Sequence, residues 1–266
     1  MIDFSKIDLP EKVYKYRNWN SPRDQRVLTR NEVYFASPAD FEDPHDCKNP
    51  IRYDLLSDNE LRDYLKRRTI ETFPSDTPEE LIKREKQAFK DLRDTELLAK
   101  RYIQVHEDFY NHFGVLSLTA YSTENSMWEW YANSHKGFCI GFNSKIMFTS
   151  SYLFGGGGPV FYVDELPIIH PYNGWDERAY KLIFFKIKYW EFEKEYRIQK
   201  TSYSPLNEWH RKVRVPTEAY AEIILGAEIT DESKKEIVNT VNERFPNLPI
   251  LQAKKNGTKI SIEPLK

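Results

Sequence analysis

Residues 188–199 read KYWEFEKEYRIQ, and the fold turns on how this stretch is built. At strand period it predicts two faces: Trp190, Phe192, Lys194, Tyr196 and Ile198 on one, Glu191, Glu193, Glu195, Arg197 and Gln199 on the other. Aromatic and β-branched side chains suit a buried sheet surface. The other face sets three carboxylates in a row, ~7 Å between neighbours at the usual strand rise. Like charges at that spacing repel, more strongly where water is excluded. Such a row is either a solvated outer face or an acidic wall turned toward positive charge in a substrate or transition state.

The rest of the chain is built to surround such a strand. Its 266 residues include 15% aromatics, enough for a sizeable core in a single domain spanning 1–266. Charged residues make up 30%, yet the formal net charge is -2, so no global field favours nucleic acid and only a local basic patch would. The two cysteines, Cys47 and Cys139, read as reduced thiols. The opening MIDFSKIDLPEK has acidic residues and no apolar h-region, and no apolar run is long enough to span a bilayer. Together these point to a cytoplasmic protein without a membrane partner.

Along the chain, KVYKYR at 12–17 alternates as a strand with Val13, Lys15 and Arg17 on one face and Tyr14 and Tyr16 on the other. Arg17 offers a planar fork suited to phosphate or carboxylate. Residues 26–30 form a short helix or turn, and 31–36 a second short strand. The bend SPADFEDPHDC at 37–47 packs Phe41 inward, with Asp43 and Asp46 bonding nearby backbone. His45, Asp46 and Cys47 lack zinc-ligand spacing. Residues 52–113 form a helical insertion with many mixed charges; Thr77-Pro78-Glu79-Glu80 is a capping box, and Gly114 ends the last helix.

Then follow a strand at 115–119 with Ser117 and Thr119 on one face, a short helix at 127–132 capped by Asn125 or Ser126, and a strand at 138–142. Gly137 and Gly141 there allow close backbone approach, and His135 and Cys139 are loop and core residues. The glycine run 155–158 lacks a phosphate-loop ending and reads as a hinge or loop. A strand at 160–163, a loop at 164–177 and a short helix opening at Ser204-Pro205 complete the middle. The tail is βαββ: strand 222–225, helix 231–245, strands 249–253 and 259–262, turning at Asn256-Gly257. The fold class is therefore α+β, a mixed, mostly antiparallel sheet core with a helical insertion over residues 52–113 and a βαββ tail packed against the sheet.

VYKYR, YFASPADFEDPHDC, SLT, MWEWYANSHKGFCIGF, KYWEFEKEYRI and IILG together resemble a bacterial family known as domain-of-unknown-function family 2971, across 13–226; Glu42 stands where that family's bend has asparagine. More remotely, an arginine on a first strand, a Ser/Thr strand followed by a helix, and a Glu-x-Glu strand resemble the ADP-ribosyltransferase fold. The matching residues are Arg17, Ser117-Leu118-Thr119 and Glu193-Lys194-Glu195, with leucine and threonine replacing two positions of a Ser-Thr-Ser pattern.

That resemblance implies NAD as substrate and an oxocarbenium-like ribose, which a carboxylate stabilises. Glu195 would take that role, Glu193 would orient or deprotonate the acceptor, and Arg17 would hold the pyrophosphate. Ser117 would bond the ribose, Thr119 would support the strand, and Tyr121 or Tyr131 would stack on nicotinamide. The acceptor would be protein, nucleic acid or water, and the family type suits a toxin or antiphage effector. This reading requires Arg17 and Glu195 to line one cleft. Two alternatives stand beside it: a nuclease-like enzyme holding Mg²⁺ with Asp43, Asp46, Glu193 and Glu195, and a non-catalytic module gripping a nucleotide or peptide.

Overall fold

Alternating strands with one apolar and one polar side build the scaffold, and the computed structural model describes residues 8–149 and 156–265 of it. In chain order the elements are β1 (Lys12–Arg17), α1 (Pro22–Thr29), β2 (Glu32–Tyr34), α2 (Asp58–Thr72), α3 (Pro78–Arg93), α4 (Thr95–His112), β3 (Phe113–Thr119) and α5 (Asn125–Tyr131). β4 (Phe138–Asn143), α6 (Ser144–Thr149), β5 (Gly157–Pro159), β6 (Phe161–Val163), α7 (Trp175–Ile183) and β7 (Phe185–Ile187) follow. The chain closes with β8 (Glu195–Thr201), β9 (Lys212–Arg214), β10 (Tyr220–Leu225), α8 (Asp231–Arg244), β11 (Ile250–Asn256) and β12 (Lys259–Pro264).

One eight-stranded sheet runs β12-β11-β10-β4-β1-β3-β8-β5, with β2-β9 and β6-β7 as separate two-stranded pairs. Within the large sheet only β10 and β11 pair parallel. The expected α+β class with a mostly antiparallel sheet, a helical insertion and a βαββ tail is what the chain forms. The tail does more than pack on the sheet: β10 pairs with β4, so β11 and β12 extend it.

Directly paired antiparallel residues share a face. Val13, Leu116, Leu118, Phe138, Ile140, Phe142, Ile198, Ile223 and Leu225 therefore make one apolar face, covered by Val27 and Leu28 of α1 and Ile237 and Val241 of α8. The opposite face carries two smaller cores. Leu61, Tyr64 and Leu65 of α2, Leu92 of α3 and Phe109 of α4 pack on Val115 and on Ile183 of α7. Trp128 of α5 packs on Tyr16, Cys139 and Ile224. Close approach is needed at Gly137, where a Cβ would lie 2.1 Å from the Arg17 carbonyl oxygen, and at Gly141, where it would lie 2.8 Å from Glu222 Cγ. Both cysteines are free and buried.

Local expectations fare unevenly. The Thr77–Glu80 capping box closes reciprocally. α4 stops at His112, and Gly114 already belongs to β3 because Phe113 pairs with Thr201. α5 is capped by the Glu124 side chain rather than by Asn125 or Ser126. Residues 204–211 form no helix, with a turn at 208–211, and α7 spans 175–183, so it takes in the end of the expected loop at 164–177 and the start of 180–186, expected as helix or strand. In the glycine run, Gly157 and Gly158 pair with β8, while Gly155 lies outside the described residues.

Candidate functional site

The opening stretch is not one strand. Lys188–Glu193 winds as a 3-10 turn, Lys194 takes a left-handed conformation (φ 41°, ψ 53°), and only then does β8 begin at Glu195. A non-glycine residue at positive φ is uncommon and needs neighbours that fix it. Here the Thr119 hydroxyl donates to the Glu193 carbonyl (2.6 Å), Ala120 N–H to the Lys194 carbonyl (3.1 Å), and Glu195 N–H to the Tyr162 hydroxyl (2.9 Å). The row of three carboxylates is thereby broken. Glu191 is half-buried and pairs with Lys194 (3.0 Å), whereas Glu193 and Glu195 are 4% and 5% exposed.

The two buried acids meet cations from distant elements. Arg197 Nε and Nη2 donate to the two Glu195 oxygens (2.8 and 2.9 Å), and Nη1 and Nη2 donate to the two Asp46 oxygens (2.8 and 2.6 Å). Nη1 also donates to the Ile183 carbonyl at the end of α7 (2.6 Å). Lys186 Nζ lies 2.6 Å from Glu193, 3.5 Å from Asp46 and 3.7 Å from Glu195. The Tyr131 hydroxyl donates to Glu193 (2.7 Å), and Ser117 stands opposite Arg197 on the same face of the strand pair. Three carboxylates thus face two cations, so the cluster carries a net charge of -1 when all are ionised.

Burial pushes the Glu195 carboxyl up, but Arg197 and Lys186 outweigh it and hold it at about 2. Burial, then repulsion from Glu195, raises Glu193. For Lys186, attraction to Glu195, Asp46 and Glu193 more than offsets burial and keeps the ammonium charged. The surplus negative charge therefore falls on Glu193, the acid whose protonation relieves it at least cost.

Of the expected site residues, Glu193, Glu195, Ser117, Thr119 and Tyr131 come together. Tyr121 sits at the edge: its carbonyl accepts from the Tyr16 hydroxyl (3.0 Å) and its ring is exposed. Arg17 does not join them. Tyr14 pairs with Thr119 and Thr119 with Glu195, so Glu195 shares a face with Tyr14 and Tyr16. Lys15 and Arg17 start from the opposite face, where Arg17 pairs with Asp24 of α1 (3.3 Å). The requirement of one cleft lined by Arg17 and Glu195 is not met, for the plain reason that a residue moved by one position along a strand changes sides.

The cation of β1 whose amine feels the pull of Glu195 and Glu193 is Lys15. β1 and β3 are joined at the single pair Tyr14–Thr119, and beyond it the strands part. Lys15 Nζ crosses this seam to donate to the Ser117 carbonyl (2.6 Å). Burial and the nearby Arg17 lower its amine to about 7, against the pull of Glu195, Asp24 and Glu193.

On sequence Lys186 is not marked as a site residue and Arg197 is given no role, and Asp46 is expected on local backbone or, in the Mg²⁺ alternative, beside Glu193 and Glu195. Arg197 was legible, since an arginine two positions after Glu195 on a strand shares its face. Asp46 was not, because it lies 151 positions away from its partner. Asp43, as expected, bonds local backbone: its Oδ1 accepts from His45 N–H (2.8 Å). It therefore stays apart from Glu193 and Glu195. Arg197 and Lys186 occupy the oxygens a Mg²⁺ ion would need, and among the described residues no group of three His, Cys, Asp or Glu is arranged to hold a metal.

Aromatic rings rim the cluster on its outer side: Trp130 lies edge-on to Trp190 (5.6 Å) and Phe192 (5.2 Å), and Lys186 Nζ sits 4.8 Å from the Trp190 ring centre. No family model, no curated protein and no solved structure matches this chain.

Proposed function

We propose that this chain is an NAD-consuming enzyme of ADP-ribosyltransferase-like layout, a transferase or glycohydrolase, whose substrate enters at the seam between β1 and β3. The observation that carries the reading is that β1, β3 and β8, drawn from distant parts of the chain, lie side by side in one sheet that opens between the first two. Its first form, with Arg17 and Glu195 in one cleft, is abandoned. In the revised form Lys15 is the β1 cation, and Arg17 only holds α1 through Asp24.

The chemistry asked of the site is modest in parts. The bond between ribose C1′ and the nicotinamide nitrogen breaks, and nicotinamide leaves with the bonding pair. Glu195, ionised, would offset the positive charge on the sugar. The acceptor hydroxyl attacks C1′ and gives its proton to Glu193. Because Arg197 holds both Glu195 oxygens at rest, turnover requires that clamp to loosen.

That same clamp favours a second reading, a non-catalytic module that binds a nucleotide or peptide and keeps Glu195 as a structural ion. One experiment separates them. Wild type and Glu195→Gln are incubated with NAD, nicotinamide release is followed, and melting is measured with and without NAD. Release by wild type, lost in a folded Glu195→Gln, supports the enzyme. An NAD-induced rise in Tm shared by both proteins, without release, supports the module. No release and no rise with millimolar NAD refutes the enzyme reading and rules out NAD as the module's ligand.

A further inference from the structure

A cavity of about 280 Å³ opens far from the Glu193–Glu195 cluster, between α2 and the start of α7. Its lining includes Arg67, Arg68 and the acid Glu71 of α2, Arg178 and Trp175 of α7, and Tyr172 and Gly174 just before that helix. Arg68 is paired with Glu71 (2.8 Å). Arg67 is different: its Nε makes a weak bond to the Asp63 carbonyl (3.4 Å), and its guanidinium stands 5.0 Å from the Tyr172 ring centre. Arg178 donates through Nη2 to the Pro171 carbonyl, while its buried Nε has no hydrogen-bond partner. A buried guanidinium N–H without an acceptor costs roughly 1–3 kcal/mol, more for a charged group. An acceptor brought by a ligand would remove that cost.

The backbone adds to the same bias. α7 starts at Gly174 with no side chain capping it, and a Cβ built there would meet nothing within 4 Å. The free N–H groups and the helix dipole of this start favour an anion. Two acids, Asp176 and Glu177, follow in the first turn, but Glu177 is drawn to Lys181 (2.8 Å) and neither lines the cavity. The Tyr172 ring is fixed edge-on against Tyr64 (5.4 Å), and its hydroxyl donates to the Glu60 carbonyl (3.2 Å). The Trp175 ring leans on Phe109 (5.7 Å) and Phe113 (5.5 Å), yet is 57% exposed. A planar ligand would thus find two aromatic rings already held in place beside two guanidinium groups that no carboxylate neutralises.

We propose that this cavity binds a nucleoside monophosphate, its phosphate between Arg67 and Arg178 at the start of α7 and its base against Tyr172 and Trp175. At about 280 Å³ the cavity is just under the ~300 Å³ at which small-ligand sites begin, so it would hold the phosphate and one face of the base and leave the rest of the nucleotide in solvent. The same phosphomonoester occurs free or at the 5′ end of a nucleic acid, and the test separates these sources. Tm and binding isotherms are measured with AMP, adenosine, inorganic phosphate, and a short oligonucleotide with and without a 5′-phosphate.

AMP is expected to raise Tm and to bind at least tenfold tighter than adenosine or inorganic phosphate. Tight binding of the 5′-phosphorylated oligonucleotide alone would assign the site to strand ends and equally supports it. Arg67→Met should weaken binding at least tenfold. Gly174→Asp supplies a helix cap while placing a carboxylate where the phosphate sits, so it should leave Tm unchanged or higher and abolish binding. The proposal falls if adenosine binds as well as AMP, if both oligonucleotides bind alike, if nothing binds at millimolar concentration, or if both variants bind like wild type.

Discussion

The two faces of the central sheet are made by the same strands yet solve opposite problems. On the face under α1 and α8, Leu116, Leu118, Ile140, Ile198 and Ile223 pack as hydrocarbon and need only matching shape. On the face under the helical insertion, β3 and β8 carry Ser117, Thr119, Glu195 and Arg197 beside the apolar Val115, and of the four polar ones all but Ser117 are buried. Hydrocarbon is satisfied by any apolar neighbour. A buried charge is satisfied only by a partner of opposite sign in the right geometry, so this face depends on Asp46 and Lys186 arriving from elsewhere in the chain. One face is tolerant and local; the other is demanding and assembled.

The sharpest way to break this contrast is to remove Arg197. Arg197→Met leaves Asp46 and Glu195 buried without their fork and should lower stability by ~3–5 kcal/mol in denaturant unfolding. Replacing all three, as Asp46→Asn, Glu195→Gln and Arg197→Met together, should cost less than the single change, because no lone charge remains. On the other face Ile198→Ala should cost ~2–5 kcal/mol through its cavity, with no dependence on pH. If the triple variant is the least stable of these, the ions are not paying one another's desolvation and the contrast fails.

A second measurement sharpens it through pH. Glu195 has its folded pKa depressed to about 2 from an ordinary 4.5, so its contribution is present above 4.5 and lost as pH falls through 2. Wild type should lose up to ~3 kcal/mol more than Glu195→Gln across that window. Glu193 shifts the other way, so it opposes stability as pH rises past 4.5, and Glu193→Gln should flatten that part of the profile. Equal acid sensitivity in wild type and Glu195→Gln would mean that folding does not depress the Glu195 pKa, and that the clamp does not stabilise its charge.

The smallest expected effect lies in the insertion, at the exposed start of α3. Thr77→Ala removes the capping box of α3 and should cost about 1 kcal/mol, independent of salt or of the charged cluster. A loss several times larger would show that α3, which buries little beyond Leu92, bears on the sheet more than its packing suggests.

Much of this was legible in residues alone because it depends on neighbours. KVYKYR alternates and forms β1 at 12–17, the Thr77 box starts α3, and the βαββ tail falls within a few residues of its expected bounds. KYWEFEKEYRIQ misled because its period-2 pattern is compatible with a strand throughout, whereas bonds from Thr119, Ala120 and Tyr162 fix a 3-10 turn and a left-handed Lys194 in its first half. Local pattern cannot register bonds that come from 30 to 75 positions away.

By itself, then, the sequence determined that 12–17 alternates, where α3 and α8 start and that the acids near 193–195 would need company. Only the tertiary structure decided what company they keep, and that Arg17 faces α1 while Lys15 crosses the seam. The reason is physical: a side chain's face follows from its own strand's period, but its partner follows from which strands and loops the whole chain brings beside it.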